Sequence, residues 1–104
     1  LMDGNTNKQL YEQLFGAVAT IPGVKNPHRA RIRKMANLWD IDLDIEVDGS
    51  MPVSEAHIIA EKTSRVIRNT LGNVYDIVIH VEPYNSDRDG ECYGLSLEDI
   101  GGTE

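Results

Sequence analysis

The chain is poor in the features that usually announce a function. It has one cysteine, Cys92, in 104 residues, so no disulfide forms within it and a reducing compartment is the simplest setting. Basic residues are scarce, 10 Lys and Arg against 17 Asp and Glu, for a formal net charge of −7. Binding to a phosphate backbone needs the opposite sign, which argues against nucleic acid and leaves cations as suitable ligands. No apolar run approaches the roughly 18–20 residues of a membrane span. The start, Leu1-Met2-Asp3-Gly4, has neither the basic region nor the apolar stretch of a signal peptide. A chain that opens on Leu1 rather than Met is expected to be a piece of something longer. Cys-Xaa-Xaa-Cys, His-Glu-Xaa-Xaa-His, Gly-Xaa-Gly-Xaa-Xaa-Gly and P-loop patterns are all missing, and with them any local signature of a zinc ribbon, a zinc hydrolase or a nucleotide site. Ser54 and His57 lie three apart, but no Gly-rich nucleophile elbow surrounds the serine, so no enzyme is expected.

What is present is periodicity. With 40% hydrophobic residues the chain can build one domain around one modest core. Between Asn5 and Ile21 the apolar residues Leu10, Leu14, Ala17, Val18 and Ile21 fall at helical spacing, and Pro22-Gly23 ends the pattern. A strand-like stretch runs from Pro27 to Met35. The cleanest pattern follows, Asp40-Ile41-Asp42-Leu43-Asp44-Ile45-Glu46-Val47-Asp48, whose strict alternation predicts a strand with one buried and one wet face. Gly49-Ser50-Met51-Pro52 breaks it. Val53, Ala56, Ile59, Ala60, Thr63, Ile67 and Leu71 mark a second helix closed by Gly72. Asn73–Glu82 reads as a third strand stopped by Pro83. Tyr84–Glu104 is acidic and rich in Gly, Ser and Asp, the composition of a loose tail. Two domains of the chain are thus expected, a folded unit over 1–83 and a tail over 84–104.

The order helix, strand, strand, helix, strand predicts an α+β sandwich with two helices on one face of a three-stranded sheet, a ferredoxin-like fold without its first strand. Strands one and two form a hairpin turning near Ala36-Asn37, which sets Arg33 against Asp40, Arg31 against Asp42 and Arg29 against Asp44, each pair worth roughly 0.2–1 kcal/mol. These pairs lie away from the helices, on a face that strand three extends with Asp76, Val78, His80 and Glu82. Such a face is either solvated or meets a second copy of the chain. Trp39 opens strand two at the edge of the core.

His80 and Glu82 are two apart in a strand and project from one face. An imidazole beside a carboxylate is half of a metal site, half of an acid–base pair, or an exposed pair of little consequence. His57 stands near the start of the second helix beside its apolar stripe, where it is a ligand or a boundary residue with its polar end in water. His28 follows Pro27 at the start of the first strand, where strict alternation puts it on the helix side unless the strand begins later or a bulge re-aims it. Asp44 is a ligand or the partner of Arg29. Cys92 lies in the tail.

Two distant segments, Asp48-Gly49-Ser50-Met51-Pro52 through Ala56-His57 and Ile77-Val78-Ile79-His80-Val81-Glu82-Pro83, together with the element order, resemble the C-terminal cytosolic domain of cation diffusion facilitator transporters. Leu1-Met2-Asp3 is similar to the stretch after the last transmembrane helix of that family, and the resemblance covers residues 1–83. It implies a metallochaperone-like αββαβ fold that forms a homodimer, binds divalent cations near the dimer contact, and so regulates transport by the transporter's own transmembrane domain, which would place the chain on the cytoplasmic side of an integral membrane protein of the cell inner membrane. By the same resemblance the family's ligands fall on His28, His57, His80 and Glu82, the last usually an aspartate. Asp44 stands where some zinc transporters carry histidine. That exchange of nitrogen for oxygen leaves a mixed set suited to zinc, manganese, iron or cobalt. His57, His80 and Glu82 are the expected core of the site, with His28 and Asp44 beside them. No small-molecule substrate is expected. Two other readings stay open: a metal-independent ferredoxin-like dimerisation module, and a small hydrolase with a histidine of perturbed pKa in a pocket.

Overall fold

A computed structural model describes residues 4–84, with side chains described from Lys8 onward. The expected tail beyond Tyr84, including Cys92, and the Leu1-Met2-Asp3 start lie outside the described residues. The first helix, α1, spans Gly4–Val18. It ends three residues before the expected Ile21. Ile21 and Thr20 instead donate to Val18 and Ala17 in a tight i→i+3 turn, because Pro22 biases the residue before it away from the helical region. Ile21 remains buried all the same. Gly23, at φ 91°, turns the chain toward the sheet, and a Cβ there would lie 2.8 Å from the Ile59 side chain.

Strands β1 (Lys25–Met35) and β2 (Leu38–Val47) form the expected hairpin around Ala36-Asn37. Ala36 takes a φ of 55°, which two-residue turns compatible with strand twist require at their first position. Helix α2 spans Val53–Leu71, the bounds that its apolar stripe predicts, and Gly72 closes it at φ 69° with its N–H donating to Arg68. Strand β3 (Val74–Pro83) runs parallel to β2, so the sheet order is β1-β2-β3 with β2 in the centre.

The two helices pack on one face of this sheet, an α+β arrangement of the ferredoxin-like kind. Leu14, Phe15 and Val18 of α1 and Ile67 of α2 meet Ala30 of β1 and Ile41, Leu43 and Ile45 of β2 in one buried cluster. Trp39, Ile77, Ile79 and Val81 pack around its margin. Burying each large side chain in this cluster contributes about 1.5–3 kcal/mol. The alternation of β2 holds, but its second face is not uniformly wet. Asp40 and Asp42 are half-buried, while Asp44 and Glu46 are 2% and 0% exposed. The end of β2 nearest Val47 is therefore buried on both sides, and its acids there must be compensated by what surrounds them.

Candidate metal centre

The compensation comes from an irregular stretch of β1. From Met35 back to Arg31 the hairpin pairs regularly, with Arg33 opposite Asp40 and Arg31 opposite Asp42. Regular pairing would then set Arg29 opposite Asp44, but Asp44 faces His28. The register shifts again before Lys25, which faces Glu46. Each shift inserts one extra residue on β1, and the left-handed residues Arg29 (φ 49°) and Asn26 (φ 46°) lie in these two stretches. A bulge re-aims side chains. Here it brings His28 over to the face away from the helices, alongside Arg29, and swings Asn26 onto Glu46.

The result is a compact group of nitrogen and oxygen atoms. His28 Nε2 is 3.4 Å from Glu82 Oε1 and 3.8 Å from Asp44 Oδ2. One ligand atom each from His28, Glu46 and Glu82 lies within 4.8 Å of the others. His28 is 7% exposed, and its Nε2 is buried together with Oε1 of Glu46 and Oε1 of Glu82. Asn26 donates from Nδ2 to Glu46 Oε2 at 3.2 Å. Arg29 donates from Nε to Asp44 Oδ2 at 2.7 Å, and its Nη2 also contacts that oxygen. The same Nη2 is 3.9 Å from Glu82 Oε2.

The orientation of the imidazole is set from behind. His28 Nδ1 is 2.8 Å from the Asn26 carbonyl, which can only accept, so Nδ1 carries the proton. That leaves Nε2 to face Glu82, the arrangement seen when a histidine ligand is held by a carbonyl on its other nitrogen. A ring nitrogen 3.4 Å from a carboxylate oxygen is held there by a proton or by a metal ion between them. Two ligands about 2.1 Å from a tetrahedral ion lie about 3.4 Å apart. The donor set is one imidazole nitrogen with carboxylate oxygens, which suits zinc, manganese, iron or cobalt.

The residues singled out from sequence are thus divided. His28, Asp44 and Glu82 come together. Glu46 joins them, although its place in the alternation marked it only as a wet-face acid; the signal available was the run of acids on that one face, which no ordinary surface needs. His80 lies on β3 beside Asp44 in the parallel register, on an exposed position of the same face as Glu82. His57 stands in the exposed layer of α2 with Nε2 3.3 Å from Glu61 Oε2, both side chains more than half exposed. Within one chain, among the described residues, neither is grouped with His28, Glu46 and Glu82. Beyond the site, Asp48 ends β2 by accepting from the Ser50 N–H at 2.9 Å and from the Ser50 hydroxyl at 2.8 Å. These two bonds, the backbone one first, hold its carboxyl below the usual aspartate value.

Two helices on a three-stranded sheet, with the nitrogen and oxygen cluster on the face away from the helices, define a ferredoxin-like domain with a candidate cation site. Residues 6–84 match the family described as cation efflux protein, cytoplasmic domain, and the chain belongs to that family. It is a family of efflux proteins rather than of enzymes. The chain is 36% identical to a structure titled "Metal-bound C-terminal domain of CzcD transporter from Thermotoga maritima", with a TM-score of 0.77 over 84% of this chain and 100% of that one. It is also 36% identical to the cytosolic domain of a cation diffusion facilitator family protein, with a TM-score of 0.75 over 81% of this chain and 100% of that one. The cation-efflux pump FieF of Pectobacterium atrosepticum is 27% identical over 86 residues, covering 83% of this chain but 28% of the pump. The chain therefore spans well under half the length of the curated relatives that it matches. No helix among the described residues is long and apolar enough to cross a membrane.

Proposed function

We propose that this chain is the cytosolic regulatory domain of a zinc-type divalent cation efflux transporter of the cell inner membrane, and that it binds metal on the face of its sheet away from the helices, dimerises, and controls transport by a membrane domain outside this sequence. The observation that carries the reading is the His28 imidazole, buried, oriented by the Asn26 carbonyl, and aimed through Nε2 at Glu82. His28 and Glu82 are the central ligands, Glu46 and Asp44 are the neighbouring oxygen donors, and His80 extends the site along β3. His57 lies in the helix layer and serves such a site from a second copy of the chain. A site completed by two copies makes metal binding and dimer geometry one linked equilibrium, in which metal favours the assembly that holds it more tightly.

One observation favours the metal-independent dimerisation module instead: Arg29 already neutralises Asp44. Titration calorimetry with zinc and with manganese, run with chelator controls on this chain and on His28→Ala, His80→Ala and Glu46→Gln, separates the two. Saturable binding is expected, weakened in His28→Ala by at least the roughly 10–100-fold that even an outer-shell partner commands. Glu46→Gln and His80→Ala should weaken it less. Equal heats in the parent chain and His28→Ala, with a dimer that ignores metal and chelator alike, would overturn the sensor reading.

A further inference from the structure

The carboxylates of this site already hold a cation, and the chain supplies it. Arg29 sits in the register shift, with its backbone in the left-handed region, so that its side chain lies on the same face as His28 rather than one pleat away. Its guanidinium binds Asp44 through Nε and Nη2 and reaches Glu82 Oε2 at 3.9 Å. The Arg29 and Asp44 side chains are 14% and 3% exposed, so this is not the loose pairing of a surface. Glu82 is the shared group, with one oxygen toward His28 and the other toward Arg29. A divalent ion placed between His28 and Glu82 would stand beside a fixed positive charge and compete with it for the same two carboxylates.

We propose that Arg29 is a tethered cation that sets the metal affinity of the site: it occupies Asp44 and Glu82 in the metal-free chain and withdraws from Glu82 when a divalent cation binds. This rests on the reading of His28 and Glu82 as metal ligands. The remaining arginines on β1 do not share the role. Arg31 and Arg33 pair with Asp42 and Asp40 toward the hairpin turn, in exposed positions of the regular ladder. Competition of this kind lowers the apparent affinity in proportion to the fraction of molecules in which the site is vacated, so a guanidinium engaged about nine-tenths of the time weakens binding about tenfold.

The test is zinc affinity by calorimetry, with chelator competition, together with the melting temperature of the metal-free chain, for the parent, Arg29→Gln, Arg29→Lys and His28→Ala. Glutamine keeps much of the length and the same backbone demand but removes the charge; lysine keeps the charge. Arg29→Gln should melt lower than the parent without metal yet bind zinc about tenfold more tightly, while Arg29→Lys stays near the parent affinity. A purely structural arginine would lower the melting temperature and leave the affinity unchanged or weaker. That result, with His28→Ala still losing binding, overturns the inference and leaves the sensor reading standing. Absence of zinc binding in both parent and Arg29→Gln overturns both. Should Arg29→Gln fail to fold, the Arg29 Nη–H resonances of the parent decide, since Nη2 is the atom that reaches Glu82. They are expected to shift and exchange faster on zinc addition, and unmoved, protected resonances at saturating zinc refute the displacement.

Discussion

Both ends of the β1–β2 hairpin set arginines against aspartates, yet the two ends are different objects. Near the turn, Arg33–Asp40 and Arg31–Asp42 follow the regular ladder, with side chains of 54% and 44% exposure on the arginines. At the far end, two inserted residues pull the strand out of register, and Arg29–Asp44 is enclosed with His28, Glu46 and Glu82 around it. The same charges in the same alternation therefore do two jobs. In water they are a weak register mark. Under burial they are drawn into one cluster, because an enclosed carboxylate must find a proton, a guanidinium or a metal.

The contrast is sharpest in stability. Arg29→Ala leaves Asp44 buried without the guanidinium that binds it and is expected to cost about 3–5 kcal/mol in the metal-free chain, read from urea unfolding at neutral pH. A loss no larger than that of Arg33→Ala would erase the distinction between the ends. Arg33→Ala itself should cost less than about 1 kcal/mol and should lose even that at high salt, since exposed pairs are screened. The smallest effect is expected at Asp48, whose carboxylate only ties Ser50 into the turn after β2. Its pKa is lowered in the folded chain, so its contribution is present above its unfolded value of about 3.9 and disappears as pH falls through the lower folded value. Melting temperatures of Asp48→Ala and the parent should differ slightly at pH 7 and converge as the pH falls below the ordinary carboxylate range; a gap that persists in acid would mean that the side chain acts other than as a carboxylate.

The sequence was most informative where one period governs. The alternation from Asp40 to Asp48 defines β2 and its core-facing Ile41, Leu43 and Ile45, and the stripe from Val53 to Leu71 defines α2. The pairing of Arg33 with Asp40 and of Arg31 with Asp42 follows from the turn at Ala36-Asn37. Legibility stops at Arg29. No glycine stands at 26 or 29 to announce a positive φ, and arginine is an unusual residue for it, so alternation alone puts His28 on the helix side, and the bulge offered as one way to re-aim it is what the register shows. Asn26, a type that tolerates the left-handed region, was the one local hint. Glu46 was missed for a related reason. Alternation says which face a side chain takes, not whether that face is covered, and coverage at Glu46 arises from residues distant in sequence. His57 on the second helix and His80 on the outer face of the third strand were both legible from the pattern, and the structure keeps them in those separate layers.

The Tyr11 hydroxyl accepts a hydrogen bond from the Ile32 N–H at 3.0 Å, on the side of β1 that β2 does not use. Farther along the same border, Pro27 has no N–H to offer and the two register breaks bend the backbone out of line. An unprotected border strand invites another chain to add itself to the sheet, and proteins commonly blunt it with a proline, a bulge or a covering group. This border has all three. The irregularity that gathers His28 and Arg29 over the acids thus also blunts this border of the sheet against the addition of another strand at β1.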